Sequence, residues 1–253
     1  MGRKRHSLDA TGGLRYRMKV IKKIKKLLPP PIQVSHGEYS MIFSSHDDLS
    51  KPTDSLISLS LQAISHAMQT DLSSLSTRLN QPPYYPDIWP GEHYKLLAGF
   101  VKTLSAKTII EIGTATGLSA LALKKHLSND GIIHSFDLFD WDTHKETILT
   151  DKDFEDGRLV HHQADLSDDE VFKQYAPLLQ KANLIFIDAT HDGHLEKRLL
   201  DLFSTIKFKY KPLFIFDDIR VFTMLKMWRE VRLPKLDLTS FGHWSGTGIV
   251  EAI

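Results

Sequence analysis

From about residue 105 onward, short β-rich apolar runs alternate with amphipathic stretches of helical period, and this alternation is the clearest organising signal in the chain. Strands are predicted at Thr108–Ile112, Ile132–Asp137, Arg158–Gln163, Leu184–Asp188, Leu213–Asp217, Lys235–Thr239 and Gly248–Ala252, with helical stretches near 117–127, 143–149, 167–180, 194–206 and 220–231 between them. Strands separated by helices run parallel, with crossovers on both faces, which gives an α/β fold built on a doubly wound seven-stranded sheet. The last two strands are joined only by Ser240–Thr247, too short for a helical crossover, so they are expected to form an antiparallel pair.

The first hundred residues read differently. Residues 14–28 (LRYRMKVIKKIKKLL) place Leu14, Met18, Ile21, Ile24 and Leu28 on one helical face, and Pro29, Pro30 and Pro31 stop that helix. A second helical pattern runs from Asp54 to about Leu79. The segment NQPPYYPDIWP (80–90) then interrupts it with four prolines and three aromatics, and Gly91 to Leu104 resumes it. The expected organisation is a basic arm over 1–31, a helical extension and lid over 32–104, and the sheet domain over 105–253. Tyr84, Tyr85, Trp89 and Trp141 are either lid aromatics or ordinary core.

Composition narrows the function. With 42% hydrophobic and 25% charged residues the chain is globular in character, and no apolar run approaches the roughly 18 residues of a membrane span. It has no cysteine, which excludes disulfides, zinc thiolates and thiol nucleophiles and makes a cytoplasmic location the expectation. The net charge of +1 conceals segregation: residues 1–30 carry ten Lys/Arg against Asp9 alone, leaving 22 basic and 30 acidic residues in the rest. An acidic body argues against an extensive nucleic-acid surface, which needs a basic face to neutralise phosphates. The arm over 1–28 is open to two readings: peripheral contact with an anionic membrane or partner, or packing on its own domain or on a second subunit of a homo-oligomer.

In an open α/β sheet the ligand lies beyond the carboxyl ends of the strands, so the residues that end each strand carry the chemistry. Here nearly all are acidic. The first strand ends in Glu111-Ile112-Gly113-Thr114-Ala115-Thr116-Gly117, a tight turn feeding a helix, which is either a structural joint or a ligand-facing loop. The second ends at Asp137, 26 residues after Glu111, where a carboxylate can accept both hydroxyls of a ribose. The third runs into Asp165, placed either to accept from an adenine amino group or, with Ser167, to cap the following helix.

The motifs E-I-G-T-A-T-G-L-S, S-F-D, Q-A-D, L-I-F-I-D and I-F-D-D, in that order, resemble class I S-adenosylmethionine-dependent methyltransferases over about residues 90–253. The I-D-A-T-H and F-D-D pair is similar to the metal-assisted branch that methylates hydroxyl oxygens of small molecules. The resemblance implies a Rossmann-like fold with S-adenosylmethionine as cofactor. It implies that Glu111, Gly113, Thr114 and Gly117 hold the methionine end, Asp137 the ribose and Asp165 the adenine. Ala115 departs from the pattern, standing where many members have the middle glycine.

The fourth and fifth strands contribute Asp188, His191, Asp192, Asp217 and Asp218. Converging carboxylates are costly unless a cation compensates them, and oxygen ligands suit Mg²⁺ or Mn²⁺. The expectation is that Asp188, Asp217 and Asp218 ligate a divalent cation while His191, beside Asp188, serves as general base toward a hydroxylated small-molecule acceptor. The plain alternatives are that Asp218 caps a helix and that His191 sits in an exposed loop. His161 and His162 lie in a strand with opposite-facing side chains. His243 and Trp244 form either a substrate wall or a hairpin tip. Rival functions are methylation of a protein or nucleic-acid nitrogen, which would call for an Asn/Asp-Pro-Pro-aromatic tetrapeptide where I-D-A-T-H-D stands, and a non-catalytic cofactor-binding scaffold.

The segregated charge yields a test of the arm. Deleting residues 1–28 should leave fold and cofactor affinity intact while changing vesicle flotation or the sedimenting mass; if neither changes, the arm does not serve a membrane or a second subunit.

Overall fold

The computed structural model describes residues 50–221 and 223–252, so the expectations for the basic arm lie outside the described residues. The helices are α1 (Asp54–Met68), α2 (Ser73–Ser76), α3 (Tyr94–Leu104), α4 (Leu118–Lys124), α5 (Asp169–Leu179), α6 (His194–Phe203) and α7 (Met224–Glu230). The strands are β1 (Thr108–Ile112), β2 (Ile132–Asp137), β3 (Leu159–Gln163), β4 (Leu184–Ile187), β5 (Leu213–Asp217), β6 (Lys235–Asp237) and β7 (Thr247–Glu251). They form one sheet in the order β3-β2-β1-β4-β5-β7-β6. The first five run parallel to one another, whereas β7 lies antiparallel between β5 and β6. This is the doubly wound, Rossmann-like sheet with an antiparallel C-terminal pair that the alternation predicts.

Strand parity divides the core in two, because successive side chains point to opposite faces. Ile109, Leu184, Phe186, Leu213 and Ile215 share one apolar cluster with Leu56 and Ala63 of α1, Leu97 and Phe100 of α3, and Leu121 of α4. Ile110, Ile185, Ile187, Phe214 and Phe216 share the other with Phe172 of α5, Phe203 of α6 and Trp228 of α7. The helices before β1 are therefore part of the layer that covers the first face. By the same parity Glu111 and Asp217 project toward the α1/α3 side.

Local chemistry sets the element ends. Thr53 caps α1, its hydroxyl oxygen accepting from Leu56 N at 3.1 Å. Asp168 caps α5 by accepting from Glu170 N and Val171 N, so the alternative reading of Asp165 or Ser167 as the cap does not hold. The helix expected over 143–149 does not form. Its apolar residues Ile148 and Leu149 are buried over the Thr116–Gly117 turn instead, with Ile148 N donating to Thr116 O at 2.9 Å. The long pattern from Asp54 to Leu79 breaks after Met68, and only the short α2 follows.

The α1–α3 crossing depends on Gly99, where an added Cβ would lie 2.3 Å from Ala63 O. Gly99→Ala should destabilise the protein by about 1–3 kcal/mol, because overpacking against backbone exceeds the roughly 1 kcal/mol gained in helix propensity. An unchanged or raised urea midpoint would show that the helices do not approach this closely.

Candidate active site

The glycine turn after β1 is shaped by backbone that most side chains would not accept. Gly113 has φ 102° and lies so close to Asp188 that an added Cβ would fall 1.7 Å from its carbonyl oxygen. Gly117 has φ 80°, with Leu149 filling the space beside it. Ala115 has φ 41°, the left-handed region that glycine occupies at little cost, so this chain accepts some strain at the departure noted in its sequence.

Asp137 ties the turn to β2. One carboxylate oxygen accepts from Thr114 N at 2.9 Å and Ala115 N at 3.1 Å, and the other accepts from Phe139 N at 3.1 Å. Asp165 accepts from the backbone N and the hydroxyl of Ser167, at 2.8 and 2.6 Å, in a turn ahead of α5. Gly113, Asp137, Asp165 and Asp188 line one cavity of about 450 Å³ over the carboxyl ends of β1–β4, floored by Ile112, Phe136 and Leu199. That volume lies within the ~300–1,000 Å³ range of small-molecule sites. Thr114 faces a neighbouring hollow of about 270 Å³, shared with Ala115, Asp137 and Trp141.

Glu111 and Gly117 line neither cavity. The carboxyl of Glu111 is fully buried and accepts from the Ser135 hydroxyl at 2.5 Å; the Ser135 hydroxyl in turn lies 2.7 Å from that of Thr114. Burial raises Glu111 to about 7, against the lowering effect of the Ser135 and Ser119 hydroxyls.

The second half of the site is a cluster of acids and imidazoles at the ends of β4 and β5. His191 bridges two carboxylates, with Nε2 3.3 Å from Asp188 and Nδ1 3.2 Å from Asp218. Its loop is held by Glu196, a buried residue of α6 whose carboxylate accepts from His191 N and Gly193 N. Asp192 caps α6, accepting from His194 N and Leu195 N. Burial opposes a charge on His191, but the hydrogen bond and charge of Asp188, joined by Asp218 and Asp217, raise it to about 9. In this state His191 is a counter-ion. His191 and Asp218 have φ of 55° and 57°, a backbone cost of the kind that concentrates at functional sites.

Asp217 is only 4% exposed. Burial opposes its charge, but the charge of His93 and the hydrogen bond from His243 outweigh that penalty and hold the carboxyl far below its ordinary range. His243 Nδ1 lies 3.2 Å from Asp217 and 2.8 Å from the Ser245 hydroxyl, while its Nε2 lies 3.4 Å from Glu92. Ser245 also donates to Asp218. Burial works against the His243 imidazolium too, yet Asp217, Asp218 and Glu92 raise it to about 10. His243 is thus an ionic partner of the cluster. Trp244 beside it is 72% exposed, and Tyr84 and Tyr85 are also exposed, whereas Trp89 and Trp141 pack on the core.

Sequence reasoning missed Glu92 and His93. They come from the segment between the proline-rich loop and α3, which pairs with the β6–β7 loop through a bridge between Gly91 and His243 and a hydrogen bond from Trp244 N to Gly91 O. No local motif marks them. The only signal is parity, which turns Asp217 toward α3 and so requires a partner from that side.

Comparison with known proteins agrees with this geometry. Residues 110–219 match the family model described as a methyltransferase domain. No curated protein matches the chain. Among solved structures, a candidate caffeoyl-CoA O-methyltransferase from Staphylococcus aureus superposes with a TM-score of 0.50 at 16% identity, covering 78% of this chain and 100% of its own. An O-methyltransferase from Bacillus cereus in complex with S-adenosylhomocysteine gives 0.47 at 18% identity, over 80% of this chain and 92% of its own. The strand order and the cavity at the carboxyl edge define the class, the doubly wound methyltransferase fold. Over residues 110–219 the chain is thus similar to methyltransferase domains.

The buried Glu111 makes stability depend on pH. A carboxyl raised from 4.5 unfolded to about 7 folded favours the native state fully below pH 4.5, and that contribution is lost as pH rises through 7. Relative to Glu111→Gln, the wild type should therefore lose about 3 kcal/mol of unfolding free energy between pH 4.5 and 7.5, at 1.36 kcal/mol per pKa unit. Parallel denaturation curves across that range would refute the buried, neutral carboxyl.

Proposed function

We propose that this protein is an S-adenosylmethionine-dependent methyltransferase that methylates a hydroxyl oxygen of a small molecule with the help of a divalent cation. The observation that carries the reading is the position of Asp188. It lines the 450 Å³ cavity with Gly113, Asp137 and Asp165, and it also reaches His191 and the cluster around Asp217. A cofactor pocket and an ionisable acceptor pocket thus share one residue.

The cavity fits the cofactor by chemistry as well as size. Asp137 keeps one lone pair of Oδ1 for a ribose hydroxyl, Asp165 stands at the β3 end for the adenine amino group, and Gly113 and Thr114 hold the turn for the methionine end. Glu111 and Gly117 act from behind, on the shape of the turn. The acid cluster fits a cation because Asp188 and Asp218 stand at the ends of β4 and β5 on either side of His191, beside the buried Asp217. Bound S-adenosylmethionine supplies an electrophilic methyl group, and a bound divalent ion would lower the pKa of an acceptor hydroxyl.

The chain's own residues position the reactants and manage the proton. As the acceptor hydroxyl takes up that methyl group, its proton would leave toward His191 Nε2 or Nδ1. His191 can accept that proton only when the charge of Asp188 and Asp218 is answered by a cation, because those carboxylates otherwise keep the ring protonated. Exposed Trp244, in edge contact with His243, gives an acceptor an aromatic surface beside the cluster.

Two measurements test the reading. Asp137→Ala should weaken binding of S-adenosylhomocysteine by about 1.5–3 kcal/mol in calorimetry, the worth of one charge-assisted hydrogen bond, and unchanged affinity sinks the cofactor site. With a verified acceptor, a chelator should abolish turnover while sparing cofactor binding. His191→Ala should cost roughly 10²–10⁴-fold in turnover, the usual contribution of a general base. Full activity in the chelator would return the carboxylates to the roles of cap and counter-ion.

A further inference from the structure

The cation reading above is founded on three aspartates, yet the structure groups the donors differently. Among the described residues, the donor atoms that come within 4.8 Å of one another in threes are those of His93, Asp188 and Asp217; of Asp217, Asp218 and His243; and of Glu92, His93 and His243. No such group unites Asp188, Asp217 and Asp218. Asp218 is drawn aside by Ser245, by His243 and by His191 Nδ1.

His93 is the anomaly. The residue is 2% exposed and, among the described residues, neither ring nitrogen has a hydrogen-bond partner. Nδ1 stands 3.3 Å from Asp217 Oδ1 without the direction of a hydrogen bond. A buried imidazole whose Nδ1 has only this ion pair and whose Nε2 has no polar partner among the described residues calls for a ligand. The ring is held in place by edge contact with His243 at 5.4 Å and by Phe186 at 5.3 Å between centroids. The residue itself is fixed at the start of α3, two positions after the Gly91 bridge.

We propose that His93, Asp188 and Asp217 bind the cation as one imidazole and two carboxylates, making a mixed nitrogen–oxygen centre for a transition-metal ion of the Mn²⁺, Fe²⁺, Co²⁺ or Zn²⁺ type. An all-oxygen set would serve magnesium; an imidazole nitrogen shifts preference toward first-row transition metals. His243 orients Asp217 through its Nδ1, with Glu92 behind its Nε2, in the manner of outer partners that fix metal-binding carboxylates. Asp218 serves His191 and Ser245. The inference rests on the cation reading and replaces one of its three ligands.

The test uses the full chain, stripped of metal and titrated with Mn²⁺, Zn²⁺ or Mg²⁺. Mn²⁺ should bind at least about 10-fold more tightly than Mg²⁺. Pulsed electron paramagnetic resonance of the Mn²⁺ form should show coupling to an imidazole nitrogen, and labelling the histidines with ¹⁵N should change it. The coupling should vanish in His93→Ala, with affinity lowered by at least roughly 10–100-fold. It should persist in His191→Ala, His243→Ala and Asp218→Asn. Bound Mn²⁺ without nitrogen coupling in the wild type overturns the proposal, and that result needs no variant to fold. So does a coupling that survives His93→Ala or is lost with His243 or His191. Failure to bind any of the three ions overturns it too. Calorimetry with S-adenosylhomocysteine on the same sample then separates the two readings: retained binding leaves the methyltransferase assignment standing, and lost binding sinks both.

Discussion

Buried negative charge at the carboxyl edge of the sheet is the constraint around which the site is organised. Asp217 ends β5 with almost no exposure, and a lone ionised carboxylate there would be prohibitively costly. His93 approaches it from the segment ahead of α3 and His243 from the loop between β6 and β7, and these segments meet at the Gly91–His243 bridge. The β6–β7 loop is also secured to the end of β5 by backbone: Arg220 N donates to Ser245 O at 3.0 Å, and Gly246 has φ 122° with room for no side chain beside Arg220 N. Distant parts of the chain thus converge on one carboxylate.

The same constraint explains why the helices before β1 are built into the core. Asp217 and Glu111 share strand parity with Ile215 and Ile109, so their side chains leave the sheet on the face covered by α1 and α3. A domain ending at the sheet would leave that face and its buried charges open to water. The antiparallel β7 has a matching role: pairing with β5 up to the Asp217–Thr247 position delivers the preceding loop, with His243 and Ser245, to the end of β5.

What the sequence made legible was whatever local pattern encodes. Seven strands, the antiparallel pair and the acidic strand ends follow from period, loop length and position, and each strand begins or ends within about a residue or two of its expected bounds, the usual margin of boundary assignment. Gly113, Asp137 and Asp165 were likewise legible as one group, because the fold class fixes where strand ends meet, whereas the sharing of their cavity by Asp188 came only with the structure. The helix over 143–149 was misread because Ile148 and Leu149 are buried by covering the glycine turn, a long-range contact that mimics amphipathic spacing. Glu92 and His93 were invisible for a related reason: an acid and an imidazole before a helix are unremarkable until tertiary structure sets them against Asp217.

Glu111 shows how a residue can shape a cavity without lining it. Its carboxyl accepts from Ser135, whose hydroxyl pairs with that of Thr114, while the backbone N of Thr114 donates to Asp137. Glu111 and Asp137 therefore grip the same turn residue from opposite sides, one through buried side chains and the other at the cavity wall. His161 Nδ1 joins at 3.3 Å from the Thr114 hydroxyl, carrying the network to β3. With Ala115 held at a positive φ, the turn needs such bracing more than it would with glycine, since relaxation toward ordinary backbone would withdraw the Thr114 and Ala115 N–H groups from Asp137. The buried acid thus acts on the cavity by fixing backbone geometry, a role its position at the end of β1 shares with direct ligand contact and that sequence position alone does not distinguish.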